Sequence, residues 1–297
     1  MVAVFEQLVR MAATVEPRPV VVLSPYIPAV LRGALSAHAD GLAQCLLVGD
    51  EGRIHALAGQ LGVDLGSVEV ATQPDEQEAI WWALDACQRC SGVLVSGCTP
   101  LRLLWPAILD ATMGLRRGSL LSGVSIFELE ELDRPLLLSD GLLVVSPDLE
   151  KRLGIVQNAI AVAHKLGIEL PRVALVAATE AVDPKSQVSV DAAQITMMAA
   201  RKQIKGAIVD GPLGFDNAIS SRAAQVKGIA SEVSGKVDIL IAPDLESGNL
   251  LLKTLAYLCR GRVLNAVVGG SAPVILSGPD DDELTQLVSI ALGVLLS

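Results

Sequence analysis

The sequence predicts an α/β fold built on largely parallel sheets, on three observations. Ten short strand-like runs alternate with helical ones along the 297 residues. Hydrophobic residues make up 51% of the chain but aromatics only 3%, so the interior is Ala, Val, Leu and Ile, as in sheets covered by helices. Several of the runs end in a polar, glycine-containing turn that leads into a helix. Such strand-to-helix turns are where α/β proteins place anionic ligands, because free amides and the helix dipole point there.

The apolar runs at 20–23, 45–48 and 68–71 are read as the first three strands. Residues 75–90 carry helical spacing, with Asp75 as N-cap and Glu78 three positions later to complete a capping box. A fourth strand, 93–96, runs into Ser96-Gly97-Cys98-Thr99. Region 113–135 is the least regular: Gly114, Gly118 and Gly123 meet an acidic run at 128–133, read as a solvated loop near a crossover between lobes. Strands at 136–138 and 173–177 flank a helix at 149–166, and a helix at 191–205 precedes strands at 207–209 and 239–242. A helix from 249 to 258 and strands at 266–268 and 274–276 lead to the last helix, 282–295.

A chain of this length buries roughly three quarters of its unfolded surface, so a full core is available without staples. No apolar run reaches the ~18 residues a membrane span needs, and the N-terminus shows no signal-peptide pattern, so a soluble cytoplasmic protein is expected. The net charge of −10 comes with no basic block, which excludes nucleic acid as an expected partner. Anionic ligands must then be held by backbone amides and a few placed cations.

Cys45, Cys87, Cys90, Cys98 and Cys259 are an odd set at irregular spacing. Cys87-Gln-Arg-Cys90 is a CxxC without a second pair or a nearby His, so reduced structural thiols are expected and no metal site. His38, His55 and His164 fit no catalytic triad. Trp81-Trp82 is read as packing, with stacking on an adenine ring as the alternative.

The most specific wording lies in Asp210-Gly-Pro-Leu-Gly-Phe-Asp-Asn-Ala-Ile-Ser220, followed by Lys227-Gly-Ile and then by Pro243-Asp-Leu-Glu-Ser-Gly-Asn-Leu-Leu-Leu-Lys253. Further motifs keep the same order: Gly114-Leu-Arg-Arg-Gly-Ser-Leu-Leu-Ser122, Ser139-Asp140-Gly141, Pro147-Asp-Leu-Glu, Glu180-Ala-Val-Asp183 and Val268-Gly-Gly-Ser-Ala-Pro273. Together they resemble the phosphate acetyltransferase and butyryltransferase family, most of all its butyryl branch. The match is close over about residues 90–297 and holds in outline before that.

The resemblance implies a two-lobed, isocitrate/isopropylmalate-dehydrogenase-like architecture with the active-site cleft between lobes. Lobe one would hold residues 1–120 plus 266–297 and lobe two residues 121–265. It also implies a homodimer and an enzyme that moves a short acyl group between phosphate and coenzyme A, the latter a substrate, with no cofactor or metal. The coenzyme A thiol has a reference pKa of about 8.5, so a base must take its proton at the moment of attack. The carbonyl oxygen needs preorganised donors and the phosphate needs amides or cations.

On that basis Asp282 is expected as the thiol base, Asp281 is the near alternative, and Ser277 orients the sulfur. Gly248, Asn249 and Lys253 are expected to hold the acyl phosphate, with the amides around Ser247-Gly248-Asn249 as its cradle. The bland alternative is a helix start with a solvated lysine. Asp210, Ser139, Gly270 and Ser271 are further candidates for the substrate site, and Asp210-Gly-Pro and Asp216-Asn217 serve equally well as turn and cap chemistry. Ser96, Gly97 and Thr99 are phosphate candidates, or Thr99-Pro100 simply begins a helix.

Cations expected from the family are missing. Gly278-Pro279 stands where the family carries Ser-Arg, Ser96 where the butyryl branch often has Lys, Trp105 near a basic position, and Ser271 where Lys is common. A non-catalytic member that binds coenzyme A or acyl phosphate is therefore the alternative reading. A nicotinamide dehydrogenase is disfavoured, because no GxGxxG follows a strand.

Overall fold

The structure, a computed structural model, describes residues 4–116, 119–278 and 280–297. Arg117 and Gly118 of the 114–122 motif, and Pro279 of the Gly278-Pro279 departure, lie outside the described residues.

The elements run α1 (Val4–Ala12), β1 (Arg18–Leu23), α2 (Pro28–Ala39), β2 (Ala43–Gly49), α3 (Glu51–Leu61), β3 (Glu69–Thr72), α4 (Glu76–Cys90) and β4 (Val93–Val95). Then come α5 (Leu101–Leu109), β5 (Ser122–Glu128), β6 (Leu136–Ser139), α6 (Leu149–Lys165), β7 (Arg172–Val176), α7 (Gln187–Ala200) and β8 (Ile208–Leu213). The rest is α8 (Phe215–Ile219), α9 (Ser221–Lys227), β9 (Ile239–Ile241), α10 (Leu245–Lys253) with a π-helical turn Thr254–Leu258, β10 (Arg262–Val268), β11 (Val274–Leu276) and α11 (Glu283–Leu296).

Two compact units divide the chain: residues up to Leu121 with Leu264–Ser297, and Ser122–Val263. In the first, strands lie in the order β3-β2-β1-β4-β11-β10. All of these pairs are parallel except β10 with β11. Helix α11 packs on α1 and α2 and on the strands beneath, and Val288, Ile290, Ala291, Leu292 and Val294 are buried there.

In the second unit the order is β5-β6-β9-β7-β8, with β5 antiparallel to β6 and the others parallel. Its core is aliphatic, with Leu138, Leu240 and Leu252 around Phe127. Aspartates start most of the long helices. Asp50, Asp75, Asp148, Asp244 and Asp282 each accept the amide two or three residues on, which satisfies a donor that the first turn leaves free.

Four expectations are corrected. Residues 122–128, read as part of an irregular loop, form a buried strand, β5. Asp210-Gly-Pro is no turn after a strand. It lies within β8, which runs on to Leu213 past a register shift against β7, and the following helix starts at Phe215. Helix α10 begins at Leu245, two residues before Ser247. Helix α7 begins at Gln187, not 191, and ends at Ala200.

Candidate active site

The parallel strands of the first unit end on one edge, and the sequence turns polar there. Ser96 follows β4 and Ser277 follows β11, and β4 and β11 are paired in parallel. The Ser277 N–H donates to Ser96 Oγ at 3.3 Å, and Ser277 Oγ donates to Gln286 Oε1 at 3.0 Å. Gln286 Nε2 donates to Asp281 Oδ2 at 2.7 Å, the oxygen that also accepts the Gly278 N–H at 2.7 Å. A Cβ on Gly278 would come within 2.6 Å of Asp281 Oδ1, so the missing side chain is what lets this carboxylate lie over the loop.

The two acidic candidates are thereby separated. Asp282 is exposed and caps α11, its Oδ1 accepting the Thr285 N–H at 2.7 Å. Asp281 is half-buried. Burial pushes its carboxyl up to about 6, helped by the charges of Asp282 and Asp280 and opposed by the Gly278 amide and Gln286. Sequence reasoning had no signal for Gln286, which only the packing of α11 brings beside Ser277 and Asp281.

The turn after β4 is tightly built. Gly97 has φ +42°, and a Cβ there would lie 2.0 Å from the Leu23 carbonyl oxygen, so only glycine fits beside the end of β1. The Cys98 N–H donates to the Ser24 carbonyl at 2.9 Å. Thr99 is buried and its Oγ1 has no hydrogen-bond partner among the described residues. Pro100 is the N-cap of α5 and Leu101 its first residue, one position later than a helix begun at proline. Trp105 and Arg102 lie on α5.

Gly270 and Ser271 are not brought to this cluster. They precede β11, and Pro273 accepts the Leu94 N–H at 3.1 Å, so they sit at the amino edge of β4. The three residues of β11 put roughly 10 Å between that edge and Ser277. The Ser271 N–H and Oγ both donate to the Leu115 carbonyl, at 2.9 and 3.3 Å.

In the second unit the polar edge is organised by Asp140, which is buried. Its Oδ1 accepts the amides of Leu142 and Leu143, and its Oδ2 those of Gly123 and Val144, at 2.7–3.1 Å. Burial raises its pKa against those four amides. The loop Asp140–Val144 thus folds around one carboxylate. Ser139 Oγ donates to the Gly123 carbonyl at 2.7 Å, so this candidate hydroxyl already has a backbone partner.

Gly248 and Asn249 adjoin that loop. Asn249 Nδ2 donates to the Gly141 carbonyl at 3.0 Å, and a Cβ on Gly248 would lie 2.6 Å from the Asp140 carbonyl oxygen. The expected cradle of free amides at 247–249 is not what these residues form. The Ser247 N–H goes to Asp244 Oδ1 at 2.8 Å and the Gly248 N–H to the Asp244 carbonyl at 3.0 Å, because the helix starts earlier than its sequence suggests. Lys253 is exposed in the last turn of α10, its ammonium 5.9 Å from the Tyr257 ring centre.

Beside Asp244 lies a buried ion pair not foreseen from sequence, Arg152 Nε to Asp191 Oδ2 at 3.6 Å. Arg152 Nη2 also donates to the Pro147 carbonyl at 3.3 Å. Burial lowers the Arg152 pKa, with Asp191 acting against it.

Three of the distinctive motifs meet in a clasp at the end of β8. Lys227 Nζ lies 2.6 Å from Glu180 Oε1 and 2.9 Å from Asp216 Oδ1, and Asn217 Nδ2 donates to Glu180. Asp210 Oδ1 accepts the Gly211 N–H at 2.8 Å. Asp210 thus stands in β8, and the N-cap of α8 is Gly214, without a side-chain cap bond.

Each histidine has a structural partner. His38 Nδ1 accepts the Cys45 N–H, leaving Nε2 to donate to Ser67, while His164 Nε2 donates to the Gly206 carbonyl and His55 pairs with Glu51. All five cysteines are free. Cys45 and Cys87 are buried and their thiols are pushed up by burial, whereas Cys90, Cys98 and Cys259 are exposed.

The α/β fold, with the comparisons that follow, defines an acyltransferase of the phosphotransacylase class. Residues 105–290 match the phosphate acetyl/butaryl transferase family. The chain is 36% identical over 298 residues to the phosphate butyryltransferase of Clostridium acetobutylicum, covering 100% of this chain and 99% of that protein. It is 36% identical over 270 residues to the phosphate acetyltransferase of Thermotoga maritima, covering 90% and 91%. Among solved structures, a branched-chain phosphotransacylase from Enterococcus faecalis V583 aligns with a TM-score of 0.78 and 25% identity over 94% of this chain and 98% of that one. The chain belongs to the phosphate acetyl/butaryl transferase family.

Proposed function

We propose that this acyltransferase exchanges phosphate and coenzyme A on a short acyl group, acyl-CoA and phosphate giving acyl phosphate and coenzyme A. The observation that carries the reading is the full-length match to phosphate butyryl- and acetyltransferases. In the first unit, Asp281 takes the thiol proton, Ser277 orients the sulfur, and Ser96 and Thr99 supply further hydroxyls. In the reverse direction the thiolate attacks the acyl carbon of the acyl phosphate, the C–S bond forms, and the C–O bond to phosphate breaks with its electron pair going to phosphate. The proton stays on Asp281 until solvent takes it.

Asp281 is preferred to Asp282 because its carboxyl, near 6, is poised for proton transfer at neutral pH, whereas Asp282 is engaged as a cap. Gly248 and Asn249, beside the Gly141 carbonyl, are candidates for holding phosphate. Lys253, one turn beyond Asn249 in α10, and Asp210 have no assigned step.

The reading includes a cytoplasmic homodimer. No helix among the described residues is long and apolar enough to cross a membrane. Sedimentation or light scattering tests the dimer.

Purified protein incubated with acetyl-, propionyl- or butyryl-coenzyme A plus phosphate should release free thiol, most quickly with the preferred chain length. Binding of coenzyme A without release would turn the reading towards the non-catalytic member that the Gly278-Pro279 departure suggests.

A further inference from the structure

Gln286 is 1% exposed, yet its amide faces the two polar groups to which the thiol chemistry is assigned. A polar side chain this deep in an apolar helix face is costly unless both ends are bonded. Both ends are: Oε1 accepts from Ser277 Oγ at 3.0 Å and Nε2 donates to Asp281 Oδ2 at 2.7 Å. It has no room to swing away, because α2 closes on it at a glycine. A Cβ on Gly33 would fall 2.7 Å from the Gln286 Cβ.

The directions of these bonds have chemical consequences. Ser277 has committed its only hydroxyl proton to Gln286, so it does not compete with the thiol as a proton donor to Asp281. Asp281 receives both protein donors, Gln286 Nε2 and the Gly278 N–H, on the same oxygen, Oδ2. Its other oxygen, Oδ1, receives no hydrogen bond from the described residues and is left to accept a proton.

A glutamate at this place would repel Asp281 and an aliphatic residue would bind neither group. Only a side chain with an acceptor and a donor at fixed separation sets both orientations at once. We propose that Gln286 is the positioning residue for thiol deprotonation, fixing the Ser277 hydroxyl and turning Asp281 so that Oδ1 receives the proton of coenzyme A. The inference rests on Asp281 being the base.

The charged groups acting on Asp281 are Asp282 and Asp280 of its own segment. Glu283, next on α11, is tied to Arg32 of α2 at 3.9 Å and to Ser36 at 3.5 Å. Gln286 is therefore the one uncharged donor on α11 that holds the carboxylate, and its removal should favour the protonated acid.

The test compares Gln286→Met, Gln286→Glu and Asp281→Asn in kcat/KM for coenzyme A against pH, with melting temperature as a check on folding. Methionine keeps the length without hydrogen bonds. Glutamate keeps an acceptor for Ser277 but sets a second carboxylate against Asp281, and it carries the test if the methionine variant does not fold. Expected are a roughly ten- to hundredfold loss in kcat, part of the 10²–10⁴ that a positioned base provides, with KM for the acyl phosphate changed less than about twofold. The acid limb of the profile should move to higher pH in both Gln286 variants. Wild-type rate and an unmoved limb in both, beside an inactive Asp281→Asn, overturn the role of Gln286 and leave the base in place. An Asp281→Asn enzyme with wild-type rate and profile instead overturns the base itself.

Discussion

Lys227 Nζ sits 2.6 Å from Glu180 Oε1, the same oxygen that receives the Asn217 side-chain amide. Residues 180, 217 and 227 come from three separate motifs, and one carboxylate oxygen ties them together. Their wording therefore reflects the making of the β8–α8–α9 corner. Asn217 is fully buried, whereas Lys227 and Asp216 are well exposed and screened by solvent. Asn217→Ala should cost about 1–3 kcal/mol of stability by removing one of the two donors to Glu180 and opening a small void. Michaelis constants for phosphate and coenzyme A should stay within about twofold if this corner is a clasp and not a ligand site. Denaturant titration and steady-state kinetics on one preparation check both.

Asp281→Asn separates chemistry from stability. As a base Asp281 acts ionised, so the wild-type kcat/KM should fall as pH drops through about 6. For folding the sign is opposite. A carboxyl whose folded pKa is raised contributes stability below its unfolded value, and this is lost as pH rises through about 6. The asparagine variant should thus be inactive, yet melt no lower than wild type at pH 7.5 and lower than wild type near pH 4. A lower melting temperature at neutral pH would mean that the ionised carboxylate is a net stabiliser.

Gly278→Ser restores part of the family's Ser-Arg wording, and it should lower activity. The new Cβ comes within 2.6 Å of Asp281 Oδ1, closer than non-bonded atoms allow. The flexible carboxylate would give way, leaving the Gly278 amide and Gln286. Folding should be little affected, since only the end of a side chain moves. A rise in turnover would show that the departure at 278 is a plain loss, without compensation by Asp281.

Gly248→Ala tests the contact between α10 and the Asp140 loop. Alanine is favoured over glycine in a helix by about 1 kcal/mol, yet its methyl would press on the Asp140 carbonyl and on Gly141. Overpacking of this kind costs about 1–3 kcal/mol. The expected outcome is a lower melting temperature and weaker phosphate binding, because the Asn249–Gly141 hydrogen bond would stretch. A more stable variant would show that the helix can shift outward freely.

The apolar strands and the α/β alternation were legible because buried parallel strands are continuous Val, Leu and Ile runs. Strand β5 was hidden by its small polar residues. Ser122 and Ser125 are fully buried, and Ser122 is acceptable there because Asn158 donates to its Oγ at 2.9 Å. Asp210-Gly-Pro reads locally as a turn, and only pairing with β7 keeps it in the sheet. At the site, Ser277 and Asp281 could be placed from their position after the last strand. Gln286 could not, since its meaning depends on which face of α11 meets α2. The candidacy of Gly270 and Ser271 came from motif wording, which carries no information about which end of a strand a loop occupies.

The distribution of thiols bears on how turnover can be measured. A disulfide reagent that reports released coenzyme A will also meet the side chains of Cys90, Cys98 and Cys259, which are exposed. These should give a stoichiometric initial step that scales with protein, on which the catalytic slope is superimposed. Cys45 and Cys87 should stay silent until the fold opens, since both are buried with thiols held protonated. The same reagent used without substrate therefore becomes a probe of unfolding, and covalent labelling at Cys98, beside Thr99, can be followed separately for its effect on rate.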